Sequence, residues 1–278
     1  MVKIKDKLKI IIVKTMGWIA KTSTGRVLHK ILLQQAMHTR KTVNHNGTKL
    51  IFTTPNTLND YRADSFSSKE PETLDWIDSF DEGSTFWDVG ANVGLYSCYA
   101  AAKSSCEVVA FEPSVFNLEL LSRNISNNFL IDKVSIMPLA ISDKQDLNRL
   151  NLTTTEWGGA LSTFGETYGQ DGKELDVVFS FSTFGISLDM ALDIFDLTPP
   201  KYLKIDVDGI EHLILKGGVG VLSHVNEVLV EINDGFLEQS DVSSRILQEA
   251  GFKMTKAGGY VYLDETHTDR IRNQIWTK

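Results

Sequence analysis

Residues 86–94 read FWDVGANVG, an apolar strand that meets an acidic residue and then a glycine-rich turn opening a helix. A strand, a tight turn and a helix in that order build the crevice in which doubly wound α/β proteins hold a nucleotide-like ligand. Asp88 ends the expected strand, and Gly90 and Gly94 let the backbone turn sharply. Leu95, Tyr96, Tyr99 and Ala100 then carry an apolar helical face onward. Such turns also occur for packing alone, so a second element is needed.

That element is VVAFEP, residues 108–113, a buried strand ending in Glu112, after which Ser114 starts a helix with Leu118, Leu121 and Ile125 at helical spacing. In such folds an acid at the tip of the second strand, about 20 residues beyond the glycine turn, accepts both ribose hydroxyls. Glu112 fits that place. Stabilising the helix N-terminus is its other role, worth up to about 1 kcal/mol, and the two are compatible.

The turn discriminates between cofactors. Dinucleotide binders crowd G-x-G-x-x-G against a pyrophosphate, whereas D-x-G-x-N-x-G has two glycines and a carboxylate. A carboxylate at Asp88 favours a cationic sulfonium and ammonium over a pyrophosphate, so S-adenosylmethionine is expected.

FWDVGANVGLYSCYAA, AFEPSVFNLELLSRNI, YLKIDVDGIEHLILKGG and EVLVEIN, in that order, resemble the FkbM family of S-adenosylmethionine-dependent methyltransferases. The similarity extends over about residues 50–278, through PNTLNDYR and KEPETLDWID upstream and NQIW near the end. The resemblance implies a class I methyltransferase (Rossmann-like) α/β fold, with a mostly parallel seven-stranded sheet and an antiparallel C-terminal hairpin; the residues before the similar span read as an N-terminal helical extension. The resemblance implies an oxygen of a sugar or natural product as acceptor. It also implies that Ala91 and Asn92 in the turn, Ala140, Ser142 and Asp143 after the third strand, Glu70 before Pro71, and Asn117 border the cofactor.

With 278 residues, of which 42% are apolar, the chain can bury one large α/β core plus extensions. Cys98 and Cys106 are its two cysteines and form no C-x-x-C pair, which fits a reduced, cytoplasmic setting. Residues 1–41 hold ten Lys or Arg against Asp6, a net of +9, which leaves −17 for the remainder of a chain whose total is −8. Leu8, Ile11, Ile12, Met16 and Ile19 can share a helical face opposite Lys3, Lys7, Lys14 and Lys21. Peripheral contact with a membrane surface, or a solvated basic helix packed on the core or on a second subunit of a homo-oligomer, both follow from that pattern. An acidic core argues against a nucleic-acid partner.

The expected organisation is a basic helical extension over 1–48 and a methyltransferase domain over 49–278. Strands are expected near 85–90, 107–112, 134–141, 202–207 and 227–232, and helices over 71–80 and 238–250. Phe252–Lys256 and Tyr260–Leu263 are expected to form the closing hairpin. Residues 143–187 break the alternation with Gly158, Gly159, Gly165, Gly169 and Gly172 among Trp157, Phe164 and Tyr168. A substrate lid carrying Trp157 and Tyr168 and a plain β-excursion are equally consistent with that insertion.

Methyl transfer to oxygen needs a positioned acceptor and one general base, placed at the C-terminal ends of the central strands. Asp206, Asp208, Glu211, His212 and Glu231 are the catalytic candidates there. Asp208 and Glu211 also spell a capping box ahead of Ile210, Leu213 and Ile214. His212 titrates near neutrality but lies inside a helix. Asp206 has no capping role and is costly on an apolar strand without a partner, which makes it the first choice. Asp206, Glu231 and Asn233 could instead supply oxygen ligands to a divalent metal, an arrangement disfavoured beside the metal-free reading. The sequence thus points to an S-adenosylmethionine-dependent O-methyltransferase acting on a sugar hydroxyl in a glycan, glycolipid or secondary metabolite. A nicotinamide-dependent oxidoreductase and a non-catalytic cofactor-binding protein are the alternatives.

Overall fold

The structure, a computed structural model, describes residues 2–259 and 270–278, with side chains from Ile10 onward. Its centre is a seven-stranded sheet in the order Lys253–Ala257, Ile271–Thr277, Glu227–Asn233, Tyr202–Ile205, Thr85–Val89, Glu107–Phe111, Val134–Met137. The last five strands in that order are mutually parallel, and Ile271–Thr277 runs antiparallel to both of its neighbours. This is the class I methyltransferase architecture, with helices on both faces of a mostly parallel sheet. The inner strands read as continuous apolar runs because both faces are covered: Phe86, Trp87, Val109, Phe111, Leu203, Ile205 and Val228 are all buried.

The structure differs from expectation at two points, and the insertion is built of strands as one of its two readings has it. The anticipated strand 134–141 breaks at Pro138, whose missing N–H cannot serve a ladder; Val134–Met137 stays in the main sheet and Ala140–Ile141 joins a second one. The partner of Lys253–Ala257 is Ile271–Thr277, and the expected partner Tyr260–Leu263 lies outside the described residues. The insertion is a four-stranded sheet, ordered Ala140–Ile141, Phe179–Ile186, Asp146–Leu152, Ser162–Phe164. Leu150, Leu152, Phe164 and Ile186 bury into the core that holds Trp87 and Phe111, so this excursion is welded to the domain. The crossover helix follows it at Leu188–Ile194, capped by Ser187, which accepts the Met190 N–H at 3.2 Å.

Upstream, helices Val2–Ile19 and Ser23–Ala36 precede an antiparallel hairpin, Arg40–His45 with Thr48–Thr53, that straddles residue 48. Asn124 and Asn128 of helix Val115–Asn127 and its cap hold this hairpin by accepting the N–H groups of Thr53 and Ile51, each at 2.8 Å. Helix Thr57–Asp64 and helix Pro71–Asp78 then bring the chain to the edge of the strand ends where the site lies.

Candidate active site

Two glycines shape the turn after Thr85–Val89. Gly90 (φ +86°) passes so close to the end of Tyr202–Ile205 that a Cβ would lie 1.8 Å from the carbonyl oxygen of Asp206; at Gly94 (φ +79°) one would lie 2.3 Å from Leu121 Cδ1. Between them Asn92 takes φ +50°, a conformation that asparagine tolerates. Its N–H donates to Glu112 Oε2 at 2.8 Å, and the Ser114 N–H donates to Glu112 Oε1 at 2.7 Å. Glu112 therefore joins the two turns that follow neighbouring strands. Burial pushes its carboxyl up to about 7, although both amides pull the other way. Ser114 occupies the N-cap without a side-chain cap bond, and its own N–H is the one that Glu112 accepts.

A cleft opens beside this carboxylate in two lobes. The first encloses about 60 Å³, with Glu112 and Asn117 at one side and Phe111, Leu139, Ile141 and Phe164 forming apolar walls. Ala140 also lines it. The second, of about 300 Å³, is lined by Arg62, Lys69, Glu70, Gln170 and Glu231 among others, and Gly90, Asn92, Ala160, Asp206 and Asp208 border both lobes. The second lobe reaches the lower end of the range of about 300–1,000 Å³ typical of small-molecule sites.

Charge is concentrated in the second lobe. Lys204 is 1% exposed and its Nζ contacts Asp206 Oδ2 at 2.6 Å. Burial would lower its pKa, but the carboxylates of Asp206, Asp88 and Glu70 outweigh burial and hold it above the ordinary lysine value. Glu70 is buried yet held below the usual glutamate range: burial opposes ionisation, and Lys69, at 2.6 Å, together with Lys204 overcomes it. Glu231 faces the reverse situation. Burial, then the nearby Asp206 and Asp208 carboxylates, push its carboxyl well above the ordinary value.

The insertion forms a roof held by its backbone. The Gly159 carbonyl accepts from Asn92 Nδ2 (2.8 Å) and Asn117 Nδ2 (3.1 Å), and the Gly158 N–H donates to Asn117 Oδ1 at 3.1 Å. From the upstream helix, Asn59 Nδ2 reaches the Trp157 carbonyl at 2.7 Å and Arg62 Nη2 the Gly158 carbonyl at 2.6 Å. Asp208 completes the clasp by accepting the N–H groups of Leu161 (2.7 Å) and Ser162 (3.3 Å).

Several sequence candidates stand elsewhere. Asp88 lies within its strand and, 1% exposed, turns from the cleft to accept the Ser97 hydroxyl at 2.5 Å. Asp208 does not cap the helix Glu211–Lys216, whose N-cap is Ile210; φ +62° aims Asp208 at the roof. Glu211 does reach back, accepting from Val207 N (3.0 Å) and Gly209 N (3.1 Å) and from Gln239, so it braces the loop from beneath; burial raises it to about 7. His212 packs edge-on against Phe236, and burial lowers its pKa. Ser142 and Asp143 pack against Gly217, leaving Ala140 of that trio at the cleft. Tyr168 also meets Phe236, while Trp157 borders a separate outer groove with Val115 and Glu119. Neither ring lines either lobe; Gly159, Ala160 and Leu161 do.

The three oxygen ligands weighed for a metal do not converge. Asn233 Oδ1 accepts the Gly235 N–H at 2.8 Å and its amide donates to the Gln170 carbonyl at 2.9 Å, so this side chain serves the insertion. Among the described residues no group of three His, Cys, Asp or Glu side chains is placed to hold a metal ion. Lys204, Lys69 and Arg62 were missed in the sequence. Of these only Lys204 had a local signal, as a lysine inside the apolar strand YLKI that cannot be buried without a carboxylate.

The sequence profile of the Methyltransferase FkbM domain matches residues 88–254, a span that contains the glycine turn, Glu112, Asp206, Asp208, Glu211 and Glu231. The chain belongs to the FkbM methyltransferase family. One relative, the hexuronic acid methyltransferase AglP of Haloferax volcanii, is 28% identical over 175 residues, 63% of this chain. The match spans 65% of that relative's length. Among solved structures, the FkbM methyltransferase from Methylobacillus flagellatus KT is 17% identical, with a TM-score of 0.46 over 72% of this chain and 44% of the other. A precorrin-6y C5,15-methyltransferase from Geobacter metallireducens GS-15 is 13% identical, with a TM-score of 0.44 over 75% and 86%.

Proposed function

We propose that this FkbM-family methyltransferase uses S-adenosylmethionine to methylate an oxygen of a sugar acceptor. The observation that carries this reading is the division of the cleft: a lobe with apolar walls and Glu112 joins, across a border of Asp206 and Asp208, a lobe lined by the further acids Glu70 and Glu231. Phe111, Leu139, Ile141 and Phe164 suit the two faces of an aromatic base, and Glu112 suits paired ribose hydroxyls. The lobe with Glu70, Asp206 and Glu231 suits the cationic end of the same molecule. The chemical character of both lobes therefore fits this cofactor, and a nicotinamide dinucleotide finds no pyrophosphate turn there.

When bound, S-adenosylmethionine supplies an electrophilic methyl group on sulfur. The protein's own contribution is to seat the acceptor, exclude water and remove a proton. Asp206, fixed by Lys204, is placed to accept a hydrogen bond from an acceptor hydroxyl. Glu231, with its raised pKa, is a stronger base than a free carboxylate and is assigned the proton. The roof of Gly159 to Leu161 closes the cleft from above. The Haloferax relative's hexuronic acid suggests the acceptor class, and Arg62 and Lys69 supply cations suited to an acidic sugar in the same lobe.

Titration calorimetry of the purified protein with S-adenosylmethionine, S-adenosylhomocysteine and NADH tests the cofactor. Heat with the first two alone is expected; heat with NADH alone would overturn the reading. Release of S-adenosylhomocysteine with uronic and neutral glycosides then tests the acceptor class.

A further inference from the structure

Large apolar side chains gather in solvent along the two helices that precede the first hairpin. Ile11, Ile12 and Met16, which share one face of Val2–Ile19, are 59%, 53% and 40% exposed, Trp18 beside Ile11 is 70% exposed, and Val27, Leu28 and Ile31, which share one face of Ser23–Ala36, are 59%, 47% and 45% exposed. Scattered surface apolar residues need no explanation, but a contiguous apolar patch marks an interaction surface. Lys14, Lys21, Arg26 and Lys30 are exposed among them, and residues 2–36 hold eight Lys or Arg against Asp6, a net charge of +7.

We propose that residues 2–36 bind an anionic lipid bilayer by lying in the plane of its headgroups. Three observations select this occupant. Neither helix is long and apolar enough to cross a membrane, so the pair rests on a surface instead of spanning it. The charge of the segment is opposite to that of lipid phosphates and the same as that of a second copy of the segment, which would repel it. Among the described side chains of the pair, Trp18 is the most exposed large apolar one, and tryptophan's amphipathic ring favours the headgroup level.

The test uses the full chain with sedimenting vesicles of phosphatidylcholine alone or with phosphatidylglycerol as a third of the lipid. Binding to the anionic vesicles, with a blue shift in tryptophan emission that Trp18→Ala abolishes, is the expected result. The triple variant Lys14→Glu, Lys21→Glu, Lys30→Glu should weaken binding by at least about tenfold, since each basic residue near such a surface contributes about fivefold. Circular dichroism melting of each variant guards against misfolding, and Trp18→Ala tests the same face without altering charge. Absence of binding to anionic vesicles, or binding undiminished in the triple variant, would overturn the proposal. So would a concentration-dependent dimer that Trp18→Ala dissolves, which would assign the face to a second copy. None of these outcomes depends on the cofactor or acceptor.

Discussion

Lys204 stands in parallel register with Asp88 on the neighbouring strand, and its ammonium reaches past the end of its own strand to Asp206. The two-residue period of a strand puts Lys204 and Asp206 on one face, so a single buried cation serves a structural acid below and a cleft acid above. Replacing it by methionine, which keeps the length and removes the charge, should cost about 3–5 kcal/mol because buried carboxylates lose their counter-ion. A chemical denaturation series on Lys204→Met measures this. Partial recovery in Lys204→Met/Asp88→Asn is expected.

Glu112 links both turns and has its carboxyl raised to about 7. Glu112→Gln keeps one acceptor oxygen and loses the charge, so cofactor affinity should fall by about ten- to a hundredfold, since hydrogen bonds to a charged group are worth about 1.5–3 kcal/mol. Calorimetry reads the change directly, and an unchanged dissociation constant would remove Glu112 from the ribose site.

Glu112 and Glu211 at about 7 and Asp208 at about 6 set the sign of the pH dependence. An acid whose folded value is raised holds its proton longer in the native state than in the unfolded chain. Stability therefore rises as pH falls from about 8 toward 5, against the opposing effect of Glu70. Cofactor binding should behave oppositely, tightening by up to about tenfold between pH 6 and 8 as Glu112 ionises. Melting curves and calorimetry across that range give both slopes.

Asp208→Ala removes the acceptor for two roof amides and places a methyl-bearing residue at φ +62°. The loop before Ser162–Phe164 should become the first site of limited proteolysis, with turnover falling at least tenfold. Asp208→Asn, which tolerates that backbone conformation and keeps an acceptor oxygen, should retain most of the protection.

Glu231→Gln should reduce turnover by about a hundredfold or more and leave cofactor affinity within a fewfold, as loss of a general base predicts. The rate profile of the parent enzyme should rise with pH through the raised Glu231 value and flatten in the variant. An equal loss in both parameters would make Glu231 a binding residue.

The parts of this site that were legible in the sequence were set by local backbone chemistry. Gly90, Asn92 and Glu112 sit in turns whose glycines and strand-end acid dictate their own geometry, and all three line the first lobe. For Asp88 the sequence shows a place near the strand end but not the side of the pleat, and its side chain faces helix Leu95–Ser104 through Ser97. Asp208 and Glu211 look alike as a capping pair, yet only the backbone turn at Asp208 decides that one serves the roof and the other the floor. Trp157 and Tyr168 were chosen by type. The insertion instead presents main-chain atoms to the cleft's ceiling, and main-chain atoms carry no sequence signature.

That last arrangement separates closure from composition. Asn59, Arg62, Asn92, Asn117 and Asp208 of the body grip carbonyls and amides of residues 157–162, groups that every amino acid except proline supplies. Shape and backbone restrict two positions there: a Cβ on Gly158 would lie 2.6 Å from Asn59 Oδ1, and Leu161 sits at φ +60°. The side chain at 160 can therefore change without loosening the clasp, which leaves that position free to diverge while the rest of the protein stays as it is.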